Sequence, residues 1–190
     1  MIVVIIGIVL VIGILLSFVV KGYNGLVVLK NRVENQAAQI DVQLKRRADL
    51  IPNMIETTKG YAHYEKDTLS SITKLRTQIL STDNIETSYQ ASQQLGKITG
   101  QMIAVGEQYP DLKANTNFLQ LQQELSDTEN RISKARQFYN DTVTKYNDAI
   151  MVFPDSIIAK MFGFHRISLL EAKESEREAV KMDGSSERFC

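Results

Sequence analysis

The chain has 190 residues, with 22 basic and 22 acidic side chains, three prolines, one cysteine and no tryptophan. A formal net charge of zero argues against general affinity for nucleic acid, and the lone Cys190 excludes an intramolecular disulfide and any Cys/His metal spacing. Long stretches of Gln, Glu, Lys, Ala and Leu mark an all-α protein: an N-terminal transmembrane helix followed by an antiparallel long-helix bundle of about four helices.

The first twenty residues, MIVVIIGIVLVIGILLSFVV, carry no charged side chain, and only Gly7, Gly13 and Ser17 dilute Ile, Val, Leu and Phe. About 18 such residues suffice to span a bilayer core of about 30 Å as a helix. Residues 1–22 therefore read as an anchor, with residues 2–20 in contact with lipid. A cleaved signal peptide fits less well. No basic segment precedes the apolar run, the run is too long, and no small-x-small cleavage site follows it. Lys21, Lys30, Arg32, Lys45, Arg46 and Arg47 follow the span. They predict a cell-membrane, single-pass protein with its short N-terminus outside and its C-terminal body cytoplasmic.

Residues 23–153 read as the bundle. Leu26, Leu29, Val33, Ala37, Ile40, Leu44, Ala48, Ile51 and Ile55 recur at spacings of three and four, predicting one helix over 23–61, continuous with the anchor or nearly so. Pro52 inside it predicts either a kink near Ala48–Pro52 or a break into two helices. A second helix is predicted over 65–80 and a third over 85–108, with the turn at 81–84 between them. The third is weakened by Gly96, Gly100 and Gly106, of which Gly96 and Gly100 are expected to admit a neighbouring helix. The fourth keeps near-heptad spacing from Phe118 through Leu125, Ile132 and Tyr139 to Tyr146 and Ile150, and Pro154 closes it. In an up-down-up-down bundle its lower end returns to the bilayer.

Residues 154–167 form a short amphipathic segment in which Ile157, Ile158, Met161 and Phe162 share a side. It lies either in the headgroup region or as a cap on the open end of the bundle. Residues 168–190 read as a flexible charged tail. The chain contains no paired catalytic carboxylates, nucleophile with a base, phosphate loop or Glu-x-x-His pair, and its two histidines, His63 and His165, stand about a hundred residues apart. The expectation is no enzymatic activity, no catalytic, cofactor or metal residues, and no small-molecule substrate. What clusters instead is polar: Asn31, Arg32, Glu34, Asn35, Asp41, Arg46, Arg47 and Asp49 on the first helix, and Glu129, Asn130, Arg131, Arg136 and Asn140 on the fourth. Antiparallel packing brings Arg32 or Asn35 to the level of 136–140, and Arg46 or Asp49 to that of 123–127. Two readings stand open: internal networks that fix helix register, or a surface on which the arginines meet acidic groups of a protein partner.

The runs Asn31-Arg32-Val33-Glu34, QIDVQLKRRADLIPN from Gln39 to Asn53, Thr128-Glu129-Asn130-Arg131-Ile132, Ala135-Arg136-x-Phe138-Tyr139-Asn140, Tyr146-Asn147 and Phe153-Pro154 together closely resemble the LemA family. The resemblance covers about residues 1–165. It implies a bacterial membrane protein with one N-terminal span, a helical bundle and no established reaction. Where many members carry an aromatic residue near position 38, this chain has Ala38. The functions that follow as expectations are a membrane-tethered scaffold or adaptor for an unidentified protein partner, or membrane organisation through a homo-oligomer or through docking of 154–166.

Overall fold

The computed structural model describes residues 1–61 and 66–171, and His63, Cys190 and most of the charged tail lie outside them. Among the described residues six helices follow one another: α1 (Ile2–Thr58), α2 (Lys66–Ser81), α3 (Ile85–Gly106), α4 (Pro110–Lys113), α5 (Thr116–Ala149) and α6 (Asp155–Phe162). Among the described residues there is no strand. The all-α bundle is as the sequence predicts. The four-residue α4 is an addition, one turn opened by Pro110 between two longer helices.

α1 is a single helix of 57 residues, about 85 Å long at 1.5 Å per residue. Its buried side is Leu26, Val33, Ile40, Leu44, Ala48, Ile51 and Met54, the face the spacing predicts except at its end, where Met54 is buried and the predicted Ile55 only half-buried. Its most apolar window, toward the N-terminus, is not buried at all by the described residues. α5 runs antiparallel to α1 and is its main partner. Phe118, Leu125, Ile132, Tyr139 and Tyr146, seven residues apart in turn, are all buried on it. Filling such positions contributes about 1.5–3 kcal/mol per large side chain. Asparagines cap the starts of two helices: Asn84 accepts from the Thr87 amide, and Asn115 from those of Asn117 and Phe118.

Pro52 does not break α1. A proline has no N–H, so the Ala48 carbonyl four residues earlier loses its helical partner. Arg76 of α2 fills the gap: its Nε donates to the Ala48 oxygen at 2.7 Å, with Asp49 3.9 Å from the same guanidinium. The proline thus creates an acceptor through which α2 is fastened to α1. Arg76→Met is expected to cost about 2 kcal/mol, the worth of a hydrogen bond to a charged donor. In a Pro52→Ala background, where the backbone supplies its own N–H, the same change costs less than half as much. A double-mutant cycle in urea denaturation measures the difference.

The two glycines expected to admit a helix behave differently. Gly96 leaves room for the Arg47 guanidinium, 3.2 Å from where a Cβ would stand, whereas Gly100 faces open space. Gly106 is the tighter site. A Cβ there would lie 2.5 Å from the buried Phe118 ring.

Candidate functional site

The polar residues singled out in the sequence divide into an inner and an outer set. Arg47 is only 4% exposed. Its Nη1 donates to the Ser92 carbonyl and hydroxyl, both at 3.1 Å, and its Nη2 is paired with Glu129 of α5. Burial pulls the guanidinium down to about 10, still charged at neutral pH. Arg136 donates to the Tyr89 hydroxyl at 3.1 Å. Arg47, Glu129, Arg136, Ser92 and Tyr89 therefore form a polar layer that ties α1, α3 and α5 together. Of the two readings open for these side chains, this geometry favours the register network.

The outer set is Asn31, Arg32, Glu34, Asn35, Arg46, Asp49, Asn130 and Arg131, all exposed. On α1, Asn31, Asn35, Ala38, Val42, Arg46 and Asp49 follow one another at three- and four-residue steps, forming an uncovered stripe with Val42 58% exposed in its middle. Asp41 is half-buried and paired with Lys45 at 2.7 Å, an ion pair that raises the Lys45 pKa. Beside the stripe, a cleft of about 260 Å³ separates α1 from the turn between α2 and α3; Glu34, Ala38, Asp41, Asp83 and Ser88 line it.

Asn140 belongs to a different device. After α6 the chain reverses at Gly163, whose φ of 74° is the left-handed conformation glycine favours, and the Phe164 amide closes the helix on the Ala159 carbonyl. Residues 164–171 then run as a strap along α5. Asn147 accepts from the Ile167 amide at 3.0 Å and donates to its carbonyl at 2.9 Å. Asn140, seven residues earlier, does the same for Leu170, at 2.9 Å each way. Tyr146 donates to the His165 carbonyl at 3.0 Å, and Tyr139 to that of Ser168 at 3.4 Å. Burial raises both tyrosine pKa values, so the donors keep their protons. The two Tyr-Asn dipeptides of α5 thus hold the strap by its backbone, and Leu170 is buried beneath it. This moves the start of the tail: Ser168–Leu170, read from sequence as part of it, are bound. Replacing Asn140 and Asn147 together with alanine is expected to release the strap, so the Ile167 and Leu170 amides lose hydrogen-exchange protection while the α5 amides near Ile132 keep theirs.

The amphipathic segment also divides. Ile158 and Ala159 are buried, with Ile158 and Asp155 against Gly22 of α1. Phe162 and Phe164 pack on Tyr23, ring centroids 4.8 and 5.8 Å away. Ile157, Met161 and Phe162 are 58%, 62% and 49% exposed, so the predicted common side of Ile157, Ile158, Met161 and Phe162 is broken by Ile158, which turns inward. Among the described residues no cluster of His, Cys, Asp and Glu is arranged to hold a metal ion.

The LemA family model matches residues 36–183 of the chain. Protein LemA of Metamycoplasma hominis is 32% identical over 173 residues, covering 90% of this chain and 79% of that protein. Magnetosome protein MamQ of Magnetospirillum gryphiswaldense and magnetosome protein MamQ 2 of Paramagnetospirillum magneticum are each 23% identical over 177 residues, covering 80% of this chain. This chain spans 65% of the length of each MamQ protein.

Proposed function

The chain belongs to the LemA family, and from that premise we propose that it is a non-enzymatic, membrane-anchored scaffold or adaptor for protein interactions at the inner face of the bacterial cell membrane. The observation that carries the reading is the continuity of α1. One helix runs without interruption from an apolar, uncovered N-terminal third into the core face of the bundle. Ile2–Val20 is about 28 Å of helix, the thickness of a bilayer core. The bundle is thereby held at a fixed distance and direction from the membrane surface. Lys21, Lys30 and Arg32, placed just beyond the apolar residues, retain the body on the cytoplasmic side.

Within the bundle, the surface offered to a partner is the α1 stripe from Asn31 to Asp49, since Arg47 and Arg136 are engaged inside. Val42 with Ala38 at the centre, flanked by Gln39, Lys45 and Arg46 and by Asn35 and Asp49 further along, has the make-up of a small protein interface, apolar at its centre and polar at its rim. Photo-crosslinking probes introduced in cells at Asn35, Arg46 and Asp49 are expected to give the same discrete protein adduct, and a probe at the exposed Lys134 of α5 none. Absence of any adduct at the three stripe positions, with the protein folded and in the membrane fraction, overturns the scaffold reading.

A further inference from the structure

The turn after α5 and the outer side of α6 together expose six large apolar side chains: Met151, Val152, Phe153, Ile157, Met161 and Phe162, with Phe153 75% exposed. Of α6 the bundle buries Ile158 and Ala159 and covers one side of Phe162 through Tyr23. α6 is apolar on two sides, and a helix of that kind is covered on both in its working environment. The place of the patch says what covers it. Ile158 and Asp155 lie against Gly22 and Phe162 against Tyr23. Gly22 is two residues, about 3 Å of helix, past Val20. Lys21, Lys160 and Arg166 stand exposed around the patch, where cations meet the headgroups of anionic lipids.

We propose that these six residues form an apolar foot that inserts into the headgroup–acyl boundary of the bilayer crossed by α1. The proposal rests on the reading of Ile2–Val20 as a span. The foot gives the bundle a second attachment beside its anchor and fixes the tilt of α1 to the membrane plane. The same residues face lipid whichever partner the α1 stripe engages.

The native chain has no tryptophan, so one substitution supplies a unique fluorophore. The full-length variants Phe153→Trp and Met161→Trp, reconstituted in phosphatidylcholine–phosphatidylglycerol vesicles, test the foot. Leu10→Trp reports on the span. Phe138→Trp, at an exposed site on α5 about 18 Å of helix above Ile150, reports on the aqueous body. The foot predicts blue-shifted emission for F153W and M161W, quenched by lipids brominated near the carbonyls, with L10W quenched by lipids brominated deep in the acyl chains and F138W red-shifted and unquenched by either. Quenching of L10W without quenching of F153W or M161W overturns the foot and leaves the span. A blue shift that grows with the protein-to-lipid ratio and resists brominated lipid assigns the patch to a second copy of the chain, and also overturns it. An unquenched L10W removes the span and the foot together.

Discussion

Replacing Glu129 with alanine is expected to lower the stability of the bundle by about 3 kcal/mol or more, a large fraction of the 5–15 kcal/mol typical of a domain. The cost comes from Arg47 rather than from Glu129. The guanidinium is almost wholly buried. Burial alone already disfavours its charge, and without the carboxylate only the two Ser92 acceptors remain of the contacts described for it. Leaving a buried charge uncompensated is more costly than never having buried it. The double change Arg47→Met with Glu129→Leu should therefore restore most of the loss, even though it removes more hydrogen bonds than the single one. Denaturant unfolding of the detergent-solubilised chain, run as a double-mutant cycle, measures this. A single Glu129→Ala variant as stable as the parent would mean the pair is ornamental.

The second large effect lies in the proposed anchor. Sixteen of the nineteen residues from Ile2 to Val20 are Ile, Val, Leu or Phe. Each contributes a few tenths of a kcal/mol to insertion, and an arginine at the helix centre costs about 3 kcal/mol. Leu10→Arg with Ile14→Arg therefore removes about 6 kcal/mol or more, roughly the whole advantage of the segment. The variant is expected in the soluble or aggregated fraction after alkaline carbonate extraction, with the parent in the pellet. The bundle contacts of α1 begin at Gly22, so the change spares the folded body. Membrane retention of the double variant would show that something other than this segment holds the protein.

Much of this architecture is legible in the sequence because it is written in side-chain periodicity. The core face of α1 and the seven-residue series of α5 are patterns of apolar residues, and burial follows them. Arg47 was legible too: it stands three residues after Leu44 and four before Ile51, on the same face, while Arg46 is turned about 100° away. Treating both as members of one cluster hid that difference. Arg76 left a fainter mark. Pro52 announces a vacant carbonyl at Ala48, but only the packing of α2 on α1 says which donor reaches it.

The strap left almost none. Asn140 and Asn147 read backbone amides and carbonyls, which every sequence has, so residues 165–171 show no pattern of their own. The repeated Tyr-Asn pair seven residues apart was the one visible sign that something lies along α5. The outer side of α6 was legible in part, since Ile157, Met161 and Phe162 stand out in the sequence and only Ile158 turns inward. Its apolar residues are as frequent as those of a core helix, and sequence alone does not say which of them the bundle leaves uncovered.

The most direct test of a bundle tethered at the inner membrane face uses Cys190, the single thiol of the chain. Intact cells are treated with a membrane-impermeant maleimide before and after permeabilisation, on protein shown to resist carbonate extraction. The account predicts labelling only after permeabilisation. Labelling of Cys190 in intact cells would place the bundle on the opposite face and contradict it.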